Sequence, residues 1–160
     1  MARFGHTGFC GIAVYHPKTE SNVGTLWRSA MSYQASLIAT VGPRRYEHQA
    51  SDTSKAPLRI PLMKFTDVDD LIAHLPFSCE LVGVELSDRA VSLTRFAHPD
   101  RALYLLGAED HGIPDAVLAK CHRVVQIPSP VGWSLNVSVA GSMVLHDRFV
   151  KAGGDVPKGR

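Results

Sequence analysis

The chain is poor in cysteine: Cys10, Cys79 and Cys121 are its only three, and no two lie close in sequence. That excludes a disulfide framework and suits a reducing cytoplasm. There is no apolar run of 18 residues, and the opening MARFGH lacks the apolar centre of a signal peptide, so neither a membrane span nor a secretory leader is expected. The pattern His-Glu-x-x-His and any paired Cys-x-x-Cys are missing, and the eight histidines are scattered, with His6, His16 and His48 expected on the surface. No bound metal is expected. A Walker A loop and a Gly-x-Gly-x-x-Gly turn are also absent, which removes support for nucleoside triphosphate or dinucleotide binding. Charge is sparse and nearly balanced, with a net value of +2. Such a balance permits a nucleic-acid partner without arguing for one, because binding needs a local basic patch.

What is present is an ordinary globular composition, 45% hydrophobic and 20% charged over 160 residues, enough for one domain with a real core. We expect that domain over residues 1–152 and a disordered Gly/Pro/Lys tail over 153–160. Apolar runs of strand length alternate with helical patterns. Strands are expected at Phe9–Tyr15, Ser36–Val41, Glu80–Leu86, Ala102–Leu106 and Arg123–Ile127, and helices at Asn22–Tyr33, Asp67–Leu75 and Ser134–Lys151. Continuous rather than alternating apolarity points to strands buried on both faces, hence an α/β fold with a mostly parallel sheet flanked by helices. The long polar segment from Pro43 to Met63, with Lys64 just beyond, reads as a functional loop. In the last helix Val144, Leu145 and Val150 widen the apolar stripe beyond what one sheet contact needs. Gly141 permits a close approach there, and Gly153 would end the helix.

Three separated segments carry polar or glycine residues next to apolar runs, where an α/β protein builds its ligand crevice. They are Ser21-Asn22-Val23-Gly24-Thr25-Leu26-Trp27-Arg28, then Leu106-Gly107-Ala108-Glu109-Asp110-His111-Gly112-Ile113-Pro114, then Ile127-Pro128 followed by Ser134-Leu135-Asn136-Val137-Ser138. Gly107 would let a ligand approach the backbone, and Ser134 could cap the last helix. Asp110 and His111 read as solvent-exposed. In order and content the triple resembles the three motifs of the SpoU/TrmH family, within the SPOUT superfamily, of S-adenosylmethionine-dependent RNA 2′-O-ribose methyltransferases. The likeness runs from about Cys10 to about Lys151.

That resemblance implies a C-terminal trefoil knot, a feature no pattern argument supplies. It implies a catalytic set of Asn22, Arg28, Glu109, Asn136 and Ser138, with Glu109 orienting the site and hydrogen-bonding near Arg28. It implies a cofactor pocket for S-adenosylmethionine, leaving S-adenosylhomocysteine, built from Val84, Glu85, Leu86, Gly107, Gly112, Ile127, Ser134 and Leu135. The family's arginine is sometimes regarded as the base. Because a guanidinium rarely loses its proton, Arg28 is better suited to holding a phosphate and stabilising a growing alkoxide. The loop Ser129-Pro130-Val131-Gly132-Trp133 is about one residue shorter than the family's usual one and has Ser129 where a Met is common. Trp133 could pack on the cofactor or close the core.

The expected activity is methyl transfer to a ribose 2′-OH of RNA in the cytoplasm. A stretch from Gln49 to Lys55 resembles TrmH-like proteins and favours tRNA over rRNA. With no obvious appended RNA-binding domain, Arg44, Arg45, Lys55 and Arg59 are the expected RNA contacts. A homodimer pairing near the C-terminal helix is expected as well. Two other readings stay open, a non-enzymatic RNA-binding module that keeps the cofactor pocket, and a small-molecule-binding α/β protein.

Overall fold

The computed structural model describes residues 8–44 and 58–154. Arg45, His48, Lys55 and the tail beyond Gly154 lie outside that range. The chain runs β1 (Phe9–Tyr15), α1 (Glu20–Ser32), β2 (Leu37–Val41), β3 (Leu62–Phe65), α2 (Val68–Ala73), β4 (Glu80–Val84), β5 (Val91–Ser92), β6 (Arg101–Leu106), α3 (Asp115–Leu118), β7 (Arg123–Gln126) and α4 (Val137–Lys151), with a 3-10 turn at Leu93–Arg95. The seven strands form one sheet in the order β3-β2-β1-β6-β4-β7-β5, and every pairing is parallel. The expected fold class is therefore the observed one.

Both faces of the sheet are covered, which is why its strands read as unbroken apolar runs. In β1, Ile12 and Val14 point to a core shared with Leu26 of α1 and Val144 and Leu145 of α4. Ala13 between them faces the opposite core, with Leu71 of α2 and Leu118 of α3. β6 repeats the alternation, Tyr104 and Leu106 on one face, Leu103 and Leu105 on the other.

Several boundaries differ from the sequence expectation. α1 starts at Glu20 with Thr19 as its N-cap, two residues before Asn22. α4 starts at Val137, and Asn136 rather than Ser134 is its cap. The Pro43–Met63 segment is not loop to its end, since Ile60 is buried and β3 begins at Leu62 to pair with β2. Trp27 fixes that return by donating its indole N–H to the Ile60 carbonyl at 2.9 Å. Of the apolar stripe on α4, Val144 and Leu145 are core, whereas Val139, Met143 and Val150 are the exposed members. Gly141 faces inward, where a Cβ would come within 2.4 Å of Leu26 and 2.8 Å of Leu106, so the helix descends onto the core at that point. Gly153 ends the helix as expected, at φ +79° with its N–H bonded to the Val150 carbonyl.

The far edge of the sheet is threaded out of chain order. Val84 of β4 and Val91 of β5 both pair with Val125 of β7, from opposite sides. The intervening residues 85–90 therefore arch across the C-terminal end of a strand made 30 to 40 residues later.

α4 is locked to the sheet by a buried polar cluster. Arg148 donates to the carbonyls of Pro99 and Asp100 and to the Tyr104 hydroxyl, and Lys151 donates to the carbonyls of Leu93 and Phe96. His98, its side chain only 6% exposed, lies 2.6 Å from the Tyr104 hydroxyl through Nδ1 and 2.7 Å from Asp147 through Nε2. Since Arg148 donates to Tyr104, the tyrosine proton goes to Nδ1 and His98 donates from Nε2. Burial lowers the His98 pKa below 6.5, helped by the Arg148 and Lys151 cations, and outweighs the hydrogen bond and charge of Asp147. His98 is thus neutral in the fold. Its contribution is complete above the ordinary histidine value and is lost as pH falls through the lower folded value. The urea midpoint of the wild type should drop from about pH 7 to about pH 5 more steeply than that of His98→Gln, measured by circular dichroism. Parallel curves would remove His98 as the cause.

Candidate active site

The three polar segments meet at the C-terminal edge of the sheet. Glu109, just beyond β6, reaches the N-terminus of α1. One carboxylate oxygen accepts from Asn22 Nδ2 at 2.7 Å and from the Thr19 backbone N–H at 3.3 Å, while the other accepts from the Thr19 hydroxyl at 2.7 Å. Thr19 holds the N-cap position yet makes no side-chain cap bond, because its hydroxyl is turned to Glu109. Asn136 joins from the third segment, its Nδ2 donating to Asn22 Oδ1 at 3.1 Å. The Asn136 side-chain Oδ1 accepts from Ser138 N, Ser138 Oγ and Val139 N, so it caps α4. The result is one hydrogen-bonded chain, Glu109 to Asn22 to Asn136 to Ser138.

The negative end of this chain is well placed. Partial burial raises the Glu109 pKa, but the bonds from Asn22 and Thr19 and the charge of Lys18 lower it further, leaving the carboxyl below the ordinary carboxylate range. The positive end of the α1 dipole favours an anion in the same place. Lys18 also pairs with Asp110 across the same gap. At neutral pH Glu109 is ionised and too weak a base to take a proton from an alcohol; it fixes the Asn22 amide instead.

Beside this chain lies a cavity of about 520 Å³, in the size range of small-molecule and cofactor sites. All eight residues expected to hold a cofactor line it: Val84 at the end of β4 with Glu85 and Leu86 just beyond, Gly107 and Gly112 after β6, Ile127 after β7, and Ser134 and Leu135 before α4. Asn22, Glu109 and Asn136 line it as well. Buried apolar residues such as Val84, Leu106, Ile127 and Val137 share the lining with many polar groups, a mixture that suits the adenosine and amino-acid parts of S-adenosylmethionine.

Gly107 plays another part than the one its sequence position suggested. A Cβ on Gly107 would lie 2.6 Å from the Gly112 backbone and 2.9 Å from Glu85 Oε2. The residue is therefore small to let the 107–112 turn close on itself, through the paired Ala108 and Gly112 hydrogen bonds, rather than to leave room for a ligand. Glu85 binds the turn from below, accepting from Ile113 N at 2.8 Å and Leu86 N at 2.9 Å. Its carboxylate is occupied by the scaffold.

Two members of the expected catalytic set stand apart from the cavity. Ser138 is buried and bonded to Asn136. Arg28 is exposed on α1, is not among the cavity residues, and makes no side-chain hydrogen bond or ion pair among the described residues. The expected bond between Glu109 and the neighbourhood of Arg28 goes to Thr19 and Asn22 instead. Of the expected RNA contacts, Arg44 and Arg59 are exposed, Arg44 donating to the Lys18 carbonyl next to the site, and Arg45 and Lys55 lie outside the described residues. Sequence reasoning missed Thr19 and Lys18, whose only signal was a capping-type residue just ahead of Asn22.

The family model of the SpoU rRNA Methylase family matches residues 10–146. The chain belongs to that family. It is 30% identical over 155 residues to the tRNA (cytidine(34)-2′-O)-methyltransferase of Beijerinckia indica subsp. indica, covering 89% of this chain and 91% of the relative. It is 25% identical over 134 residues to the 23S rRNA (guanosine-2′-O-)-methyltransferase RlmB of Acinetobacter baylyi, covering 79% of this chain and 53% of that one, so it spans about half the length of this second relative. Among solved structures, an AdoMet-bound rRNA methyltransferase from Sinorhizobium meliloti superposes with a TM-score of 0.77 at 21% identity, covering 90% of this chain and 57% of that chain. One described by the 2-OH methylation of C/U34 on tRNA gives 0.74 at 22% identity, covering 92% and 99%. These likenesses show that the fold is that of SpoU-type methyltransferases.

Asn136 carries two duties that substitution can separate. Asn136→Ala removes the cap and should cost about 1 kcal/mol in urea or thermal unfolding. Asn136→Asp keeps the accepting oxygen, with a charge suited to a helix N-terminus, and should unfold near the wild-type midpoint while losing the bond to Asn22. Equal destabilisation of both variants would argue against the cap.

Proposed function

We propose that this chain transfers a methyl group from S-adenosylmethionine to a ribose 2′-OH of RNA. The observation that carries the reading is the convergence of Asn22, Glu109 and Asn136, from three separate segments, on one cavity at the edge of a parallel sheet. The tRNA reading is favoured because a relative that matches nearly end to end is a tRNA (cytidine(34)-2′-O)-methyltransferase. An rRNA substrate is the alternative, supported by the likeness to an enzyme of 23S rRNA.

The cofactor supplies an electrophilic methyl on a sulfonium. The chain's own residues must orient the ribose and stabilise charge growing on its oxygen. Ionised Glu109 fixes Asn22, and Asn22 fixes Asn136, so both amides are held in one orientation. Each amide nitrogen carries two protons and spends one within the chain of bonds. The remaining N–H groups are donors free to meet a developing alkoxide at the cavity mouth.

Arg28 holds a phosphate beside the target ribose, the planar fork of its guanidinium matching phosphate oxygens. Its position outside its own chain's cavity supports a homodimer in which Arg28 of a second copy completes the site. Also in favour of pairing is an exposed groove between α1 and α4, lined by Thr25, Tyr33, Val139, Met143 and His146. The trefoil knot belongs to this reading too, supported by the arch of residues 85–90 over β7, beneath which the chain leaving Gln126 would turn back to form α4. A reducing cytoplasm suits three free thiols, each pushed up to about 11 by burial.

Arg28→Ala should lower methyl transfer from labelled cofactor into bulk tRNA by a factor of roughly 10² to 10³, with calorimetric affinity for S-adenosylhomocysteine unchanged. Mixing Arg28→Ala with Asn136→Asp chains should restore part of the activity if one site draws on two copies; no recovery in a confirmed mixed dimer would defeat site sharing. Incorporation into neither tRNA nor rRNA by the wild type would defeat the activity itself.

The basic segment after β2 is the proposed RNA grip. Replacing Arg44, Arg45 and Lys55 together by Ala should weaken tRNA binding and flatten its dependence on salt, because fewer phosphate contacts release fewer counterions. An unchanged salt slope would place the RNA on another face.

A further inference from the structure

Trp133 is 77% exposed, an unusual state for the largest apolar side chain, and yet it lines the same cavity as Asn22, Glu109 and Asn136. It neither closes the core nor packs on it. The other tryptophan behaves in the ordinary way, half-buried with its indole N–H on a backbone carbonyl. From the position of Trp133 we infer that its indole is the plate on which the target nucleobase stacks, so that the attached ribose falls over the amides of Asn22 and Asn136. This role rests on the RNA 2′-OH activity proposed for the same site.

Three observations favour the nucleobase over the cofactor's adenine. First, the cavity lining includes the buried residues Val84, Leu106, Ile127 and Val137, which already offer apolar contact to a cofactor ring away from Trp133. A ring left mostly in solvent belongs to the mouth, where the RNA must enter. Second, the plate stands on a short, fixed support. Gly132 takes φ +68° in a turn closed by its N–H on the Ser129 carbonyl. Three residues beyond Trp133 the chain is pinned by the Asn136 cap. The ring is thus tied closely to the donors that would meet the ribose oxygen. Third, residues 131–136 are all exposed, so a flat base pulled out of its stack would meet no obstruction there. Proteins that act on RNA commonly hold an unstacked base on an aromatic face, and such stacking tolerates any base because each has a π face. Trp133 would then fix position, leaving base identity to other contacts.

The test uses the full chain in a Trp27→Phe background, so that emission reports Trp133 alone. Bulk tRNA should quench that emission, and S-adenosylhomocysteine alone should leave it nearly unchanged. Trp133→Ala should lower kcat/KM for tRNA by roughly 5- to 150-fold, the range that base–aromatic stacking covers, without altering calorimetric affinity for S-adenosylhomocysteine. Trp133→Phe should recover most of the loss, which a merely structural role would not predict. An unaltered kcat/KM in Trp133→Ala, a fall in S-adenosylhomocysteine affinity, or the absence of quenching by tRNA would each overturn the stacking role. If the wild type transfers no methyl to tRNA or rRNA, the activity reading falls separately, and the fluorescence titration still decides whether RNA reaches the ring.

Discussion

The site depends on a single carboxylate that never needs to touch a reacting atom. Glu109 collects the Asn22 amide and two groups of Thr19, and through Asn22 it sets the Asn136 amide, whose carbonyl in turn starts α4. Three segments separated by up to 114 positions are thereby held in one orientation by bonds of 2.7 to 3.3 Å. An isolated amide at a cavity mouth can flip and present either end. Here each amide has one end committed, so the free donors are preorganised, and preorganisation is what lets a polar group stabilise a transition state without reorganising during the reaction.

The sheet was legible because it is parallel and buried on both faces, so each long strand announces itself as an unbroken apolar run such as FCGIAVY. β5 has only two residues and β3 comes after a polar stretch, so neither leaves a run long enough to read. The pocket was legible by likeness: the glycines and the residues at the ends of β4, β6 and β7 stand where the family motifs suggest. The reasons behind them were hidden. Gly107 yields space to the Gly112 backbone, and Glu85 serves as a bracket for the 107–113 turn. Both are contacts made only in three dimensions, by residues more than 20 positions apart or by a turn closing on itself. Ser134 and Asn136 are equally good helix caps by type; the choice falls on Asn136 because its other end is already held by Asn22.

α4 links site and core through opposite ends. Its first turn is organised by Asn136, and its last turn by Arg148 and Lys151, which bind carbonyls of residues 93–100. A buried guanidinium is tolerated because its bonds fall on Pro99, Asp100 and Tyr104 rather than on nothing. Between the two ends Gly141 lets the helix sink against Leu26 and Leu106. The polar mouth of the cavity and the polar clasp beneath the sheet are therefore joined by one rigid rod, with little freedom for either to move alone.

The arch of residues 85–90 also bears on synthesis. β4 and β5 leave the ribosome well before β7, yet the place between them belongs to β7. Until β7 is made, the β4 and β5 edges that face it lack their native partner, and unpaired strand edges invite pairing with other chains. The long-range order of the sheet makes its completion slow. The exposed interval closes only when Arg123–Gln126 arrives to take its place between them.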